Sequence, residues 1–245
     1  MSGHSKWANI KNKKAKTDAA KGKIFTKLGR EIAVAAKGGA DPSTNSKLAD
    51  VIAKAKAANM PNDNIKRSIL KATGELNNVN YETLVYEGYG IGGSAVIVST
   101  LTENKNRTVG EVRHIFDKYG GSMGTTGSVS FMFEKCGVLV IERTVNLGED
   151  EVMELALEAG ADDVITEEDV YEIRTSPAAF SEVRKYFEER GYEFIEASVS
   201  MVPNDKVTLN EAQLVSFNKM LDAFDDNDDV QDIYHNVDLP DEDEE

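Results

Sequence analysis

Residues 137–200 read GVLVIERTVNLGEDEVMELALEAGADDVITEEDVYEIRTSPAAFSEVRKYFEERGYEFIEASVS. Val138–Ile141 is a short run of apolar, mostly branched residues, as in a buried strand. Glu149–Glu158 repeats apolar residues at helical spacing and stops at Gly160. Asp163–Ile165 and Val170–Arg174 read as two strands a few residues apart. Pro177–Glu189 reads as a helix stopped by Gly191, and Glu193–Ser200 as a strand. The order is β-α-β-β-α-β, the split βαβ arrangement of a ferredoxin-like module.

The flanks on either side are incomplete. Before the module, Leu84–Tyr89 and Ser94–Thr102 read as strands. Val109, Val112, Ile115, Phe116 and Tyr119 mark a helix stopped by Gly120-Gly121. Val129–Phe133 reads as a third strand. After Pro203 come a helix, Glu211–Phe224, and a strand, Val230–Tyr234. Neither piece makes a domain alone, but together they make a second α+β unit into which the module is inserted. The bounds are 77–135 with 204–237 for this discontinuous middle domain and 136–203 for the module. Residues 238–245 hold six acids in eight positions and are expected to be a disordered tail.

Residues 1–76 form a basic arm and a helical domain. Met1–Lys16 shows no helical period. From about Asp18 to Lys37, Ile24, Phe25, Leu28, Ile32 and Ala35 fall on one helix face, and Gly38-Gly39 ends the run. Asp41-Pro42 is expected to open a second helix, with Leu48, Val51, Ile52 and Ala55 as its stripe. Pro61 fits the first turn of a third, carrying Ile65, Ile69 and Leu70 up to Gly74. The fold class is α+β: a small N-terminal helical bundle and two α+β domains, one ferredoxin-like and inserted in the other.

The chain has 245 residues, 40% apolar and 29% charged, a globular composition. Its single cysteine, Cys136, excludes an intrachain disulfide framework and a Cys-rich zinc site. No apolar run reaches the ~18 residues of a membrane span. The net charge is −15, but it is unevenly placed. Residues 1–75 hold 16 Lys/Arg and 6 Asp/Glu, a net of +10, and the rest hold 12 and 37, a net of −25. That dipole predicts a polyanion-binding head on an acidic body.

Several motifs fail their structural context. Gly88-Tyr-Gly90-Ile-Gly-Gly93 matches G-x-G-x-x-G, but strand-like SAVIVSTLT follows where a dinucleotide site needs a helix. Gly120-Gly-Ser122-Met-Gly124 matches G-x-S-x-G with His235 downstream, but Ser122 follows a helix and precedes a strand, the inverse of a nucleophile elbow. Asp225–Asp229 (DDNDD) opens like a calcium loop but has Val230 and Asn236 where Gly and Glu are required, so it reads as a solvated turn. His4, His114 and His235 lie in separate segments without metal-ligand spacing. No constellation points to an enzyme, a cofactor, a metal or a small-molecule substrate.

The basic arm has a positive signal. His4–Lys16 contains five lysines, no acid and the only Trp of the chain. Lysines neutralise phosphates and release counterions, and a Trp ring stacks on an unpaired base. The candidate nucleic-acid-binding residues are Lys6, Trp7, Lys11, Lys13, Lys14 and Lys16 on the arm, and Lys21, Lys23, Lys27 and Arg30 on the first helix. Lys105 and Arg107 form a second cationic spot at a strand-to-helix turn, where backbone N–H groups also attract anions.

MSGHSKWANIKNKKAKTDAAKGKIFTK, YEGYGIGG with SAVIV and LTENKNRT, FDKYGGSMGTTGSVSFMF and DDVQDIYHN occur in this order along essentially the whole chain. Together they resemble the YebC/PmpR family of probable transcriptional regulators. Ile91 stands where relatives often have Pro, and Asn12 where a basic residue or His is common. The resemblance implies three domains, a cytoplasmic location, no catalytic activity and nucleic-acid binding, usually described as transcriptional regulation. Mitochondrial relatives act in translation. The expectation is therefore a regulator that binds DNA through its basic head. The alternative is a translation factor that binds ribosomal RNA and protein on the ribosome.

Overall fold

The computed structural model describes residues 18–73, 80–145 and 147–239. It is α+β, and its described residues fall into two compact units. One takes those of 1–77 and 135–201, the other those of 78–134 and 202–245.

In the first unit, the head is three helices, α1 (Asp18–Ala36), α2 (Ser46–Ala57) and α3 (Asn62–Thr73). Leu28, Ile32 and Ala36 of α1 close over Leu48 and Ala55 of α2, Met60, and Ile65 of α3. The apolar period of α1 thus becomes the core of the bundle. The start of α2 differs from the sequence expectation. Asp41-Pro42 makes a separate turn, with the Asp41 carboxylate accepting from the Ser43 N–H at 2.9 Å, as Asp before Pro favours. Asn45 caps α2 instead: its Oδ1 accepts from the Leu48 N–H at 3.1 Å. Its Nδ2 donates to the Ala35 and Gly39 carbonyls, each at 2.8 Å, so one side chain seals two helix ends. The carbonyl of Pro61 accepts from the Asn64 and Ile65 N–H groups, which places Pro61 just before α3. Gly74 lies outside the described residues.

The inserted module follows the βαββαβ order: β4 (Phe133–Glu142), α5 (Glu149–Ala159), β5 (Asp163–Thr166), β6 (Val170–Thr175), α6 (Phe180–Glu188) and β7 (Phe194–Pro203). The sheet order is β5-β6-β4-β7. β6 runs antiparallel to both β4, with Leu139 opposite Ile173, and β5. Leu139, Ile141, Tyr171 and Ile173 meet Val152 and Ala156 of α5 and Phe180, Val183 and Phe187 of α6. Gly160 ends α5 at φ +83, a conformation that costs glycine little. Gly137 lets the Phe180 ring close on β4, since a Cβ there would stand 2.7 Å from Phe180 Cδ2. Asp50 of α2 ties the head to this module. It accepts from Ser181 Oγ at 2.8 Å and Arg184 Nη2 at 3.2 Å.

The second unit holds β1 (Glu82–Tyr89), β2 (Ala95–Thr102), α4 (Lys105–Lys118), β3 (Ser122–Met123), α7 (Glu211–Asp225) and β8 (Val230–His235). The antiparallel sheet has the order β3-β1-β2-β8. Val96 and Val98 of β2 pack with Val112 and Phe116 of α4 and Phe217, Met220 and Phe224 of α7. A capping box of Asn210 and Gln213 starts α7.

The third strand is a correction to the sequence reading. Residues 129–133 do not form it. The two-residue β3 pairs with Gly88 and Tyr89, Ser130–Met132 is a 3-10 turn, and Phe133 opens the ten-residue β4. The reason is a buried acid. The Glu87 carboxylate accepts the N–H groups of Gly127 (2.8 Å), Val129 (2.9 Å) and Ser130 (2.8 Å), which a sheet ladder would otherwise use.

The tail also starts later than its composition suggests. Asp238 pairs with Lys206 Nζ at 3.0 Å, and Leu239 packs on the core of this unit. Residues 240–245 lie outside the described residues.

Candidate nucleic-acid interface

Lys6, Trp7, Lys11, Lys13, Lys14 and Lys16 lie outside the described residues. Lys21 lies on α1. Lys23, Lys27 and Arg30 follow at spacings of four and three, and Lys37 comes seven after Arg30. At about 100° per residue Lys23, Lys27 and Arg30 share one face of the helix, opposite Leu28, Ile32 and Ala36 in the core. Lys21 lies about 160° around the helix from Lys23, off that face, and Lys37 follows the helix end at Ala36. Lys23 and Lys37 are exposed, and Lys27 and Arg30 partly buried. The acid of α1 on the side toward α2, Glu31, is matched by Lys54 at 3.2 Å. Burying the apolar stripe therefore leaves Lys23, Lys27 and Arg30 on the opposite face of α1. Lys47 and Lys56 of α2 and Lys66, Arg67 and Lys71 of α3 are also exposed cations of the head. They do not extend the arm, and in sequence their only signal is their contribution to the net charge of residues 1–75.

The second cationic spot is built differently. Asn104 caps α4 by accepting from the Arg107 N–H at 3.1 Å. Lys105 is exposed in the first turn. Arg107 Nη2 instead donates to Asp229 Oδ2 at 2.7 Å, and the same oxygen accepts from Thr108 Oγ1 (2.8 Å) and Thr102 Oγ1 (3.1 Å). Burial works against the charge on Asp229, but these three hydrogen bonds and the guanidinium outweigh it and hold its pKa below the usual carboxylate value. The protein supplies its own anion to this helix terminus. Asp229 belongs to the DDNDD run, and its burial corrects the reading of that run as a wholly solvated turn.

The rejected motifs have structural roles. Ile91–Gly93 is one 3-10 turn joining β1 to β2. A Cβ on Gly121 would stand 2.5 Å from the Tyr89 carbonyl, so the glycines let β1 and β3 approach. Ser122 is a β3 residue. His235 is buried edge-on against Phe217 at 5.1 Å, and its Nδ1 accepts from the Val237 N–H at 3.3 Å. His114 is exposed on α4, and Cys136 is buried on β4. Among the described residues no cluster of three or more His, Cys, Asp or Glu is arranged to hold a metal ion. None of their helices is long and apolar enough to cross a membrane.

Comparison with known proteins agrees along the whole chain. Residues 5–75 match the model of the TACO1/YebC protein N-terminal domain, and residues 81–237 that of the TACO1/YebC second and third domain. A probable transcriptional regulatory protein of Acetivibrio thermocellus is 60% identical over 238 residues, 96% of this chain and 98% of that one. One of Clostridium beijerinckii is 58% identical, covering 98% of each chain. The crystal structure of a conserved hypothetical protein from Aquifex aeolicus superposes with a TM-score of 0.81 at 41% identity, covering 94% of this chain and 96% of that one. The chain belongs to the TACO1/YebC family.

Proposed function

We propose that this protein is a non-catalytic, nucleic-acid-binding regulator of gene expression that holds DNA through its basic head. The observation that carries the reading is the cationic face of α1, set opposite the buried stripe and continuing from a lysine-rich arm. The names of the relatives, probable transcriptional regulatory proteins, support the regulatory role. Lys6, Lys11, Lys13, Lys14, Lys16, Lys21, Lys23, Lys27 and Arg30 supply phosphate contacts, and Trp7 a stacking ring. Lys105 is a peripheral contact. Arg107, balanced by Asp229, adds little.

If the main contacts are Lys11, Lys13, Lys14, Lys16, Lys21 and Lys23, six phosphate contacts give a log–log salt slope of roughly −4 to −5, at about −0.7 to −0.9 per contact. Lys13→Ala, Lys14→Ala and Lys16→Ala together are expected to flatten it by about 2 to 3. An unchanged slope in a folded triple variant rules out the head as the binding surface.

The acidic second unit favours one alternative. Residues 78–134 and 202–245 hold 6 Lys/Arg against 20 Asp/Glu, a net of −14. Such a surface repels a long duplex within the ~8–10 Å reach of unscreened charge, but it suits basic protein beside RNA, as on a ribosome. The cut that tests this follows Leu239, since Asp238 and Leu239 are tied to the fold. On the DNA reading, removing residues 240–245 tightens duplex binding at low salt and has no effect at high salt. On the ribosome reading, association with purified ribosomes is unchanged or weaker after the same cut. Weaker ribosome association without tighter duplex binding selects translation.

A further inference from the structure

Phe131 is 72% exposed, yet the backbone on both sides of it is fixed. Val129 before it is fully buried, and Phe133 after it is 6% exposed. Glu87, itself 5% exposed, takes three N–H groups of the preceding loop. Tyr89 Oη donates to the Ser128 carbonyl at 3.0 Å, and the Asn204 N–H to the Met132 carbonyl at 2.9 Å. Residues 124–133, GTTGSVSFMF, carry no charged side chain. The fold spends a buried carboxylate on holding a loop whose most exposed large side chain is an aromatic ring.

We propose that Phe131 is a stacking platform for an unpaired nucleobase, a second nucleic-acid contact of this chain outside the basic head. The inference rests on the nucleic-acid-binding reading above and extends it to the second unit. A ring on a backbone already held in place costs less conformational freedom on binding than one on a loop that must first be ordered, and every base offers it a π-face. The loop before Phe131, residues 124–130, is mostly glycine and hydroxyl residues. Thr125 and Thr126 are exposed, with donors and acceptors suited to base edges or a 2′-hydroxyl. A protein anchor more often uses a contiguous apolar core. The neutral loop also avoids the phosphate contacts that the acidic surroundings would oppose, which favours a splayed base over a duplex backbone.

The test uses the full chain, a 12-nucleotide oligoadenylate RNA carrying one 2-aminopurine, and a blunt DNA duplex. Phe131→Ala is expected to weaken binding of the oligonucleotide by about 5- to 100-fold, the loss of one stacked base, and to abolish quenching of the 2-aminopurine. Phe131→Leu, apolar but without a π-face, is expected to lose as much, while Phe131→Trp restores both. Duplex binding and melting temperature are expected to stay at the native values in all three. An unchanged affinity in the Ala variant, native affinity in the Leu variant, or an equal loss on the duplex overturns the proposal. So does a loss in the Trp variant that tracks a lower melting temperature. Failure of the head is read separately. If the Lys13/Lys14/Lys16 variant loses oligonucleotide binding and Phe131→Ala does not, the head reading stands and the loop proposal falls. If the native chain binds neither probe, both fall.

Discussion

Asp229→Ala is expected to destabilise the second unit by about 2–4 kcal/mol, the cost of removing one partner of a buried, charge-assisted network. One oxygen, Oδ2, gathers Thr102, Arg107 and Thr108. The Asp229 backbone carbonyl also accepts from the Leu101 N–H at 2.7 Å. The side chain is 3% exposed, against 44% for Arg107. Arg107 therefore turns to water when the carboxylate is lost, which discounts its share. Thr102 and Thr108 are buried and keep each other, at 2.8 Å, with the Asn104 N–H donating to Thr102 Oγ1 at 2.9 Å and the Asn104 carbonyl 3.0 Å from Thr108 Oγ1, but they lose their charged acceptor. The sign of the pH dependence follows from the depressed pKa. The stabilisation is present above the unfolded-state value, about pH 4, and is lost as pH falls through the lower folded value. Asp229→Asn keeps the shape without the charge, so its stability is expected to change less than the native protein's between about pH 5 and pH 2. Urea midpoints at constant slope measure both effects. Equal acid sensitivity of native and Asn proteins assigns the acid loss to other carboxylates.

Local patterns in the sequence carried most of the backbone. The helical period of α1 and α5, the glycines after α4, α5 and α6, and the strand runs of β2 and β6 act within a few residues, where propensity and periodicity operate. The ferredoxin-like order was legible because each of its elements has such a local signature. The failures occur where a distant polar side chain decides. Residues 129–133 have strand composition, but Glu87, some 40 positions earlier, takes their N–H groups. Asp229 sits in a run that looks solvated, and its partners lie more than 120 positions away. Asp50 reaches Arg184 across 134 positions. No spacing rule foresees such pairings, because the partners lie far off in sequence and nothing beside these acids marks which distant group each will meet. The cationic face of the head was legible because it is the complement of an apolar stripe on the same helix. The exposure of Phe131 was not, since in sequence it is one apolar residue among several.

Glu87→Gln carries the largest expected cost for a change of so few atoms, about 2–4 kcal/mol. The native carboxylate accepts one backbone N–H on Oε1 and two on Oε2, with no donor of its own. Burial opposes its ionisation, but the three N–H bonds and a contribution from the Ser130 side chain outweigh it and depress its pKa. A glutamine offers one oxygen and one NH2. In either orientation the NH2 faces at least one backbone N–H, donor against donor. With the oxygen toward Val129 and Ser130, the Gly127 N–H loses its acceptor. In the other orientation the two N–H groups of Val129 and Ser130 lose theirs. The isosteric change thus leaves the cavity filled and the network broken, and buried unpaired donors carry their full desolvation cost. The loop should open locally before the sheet does, because three of its N–H groups depend on this one side chain while β1 and β2 stay zipped across eight residue pairs. Hydrogen exchange of the Gly127, Val129 and Ser130 amides is expected to speed by about 10- to 100-fold, with the β2 amides changed only by the global loss. Glu87→Ala removes the acceptor altogether, is expected to cost at least as much, and frees Phe131 as well. If Glu87→Gln retains native protection at all three amides, the carboxylate does not hold the loop, and the rigidity on which stacking at Phe131 depends has another source.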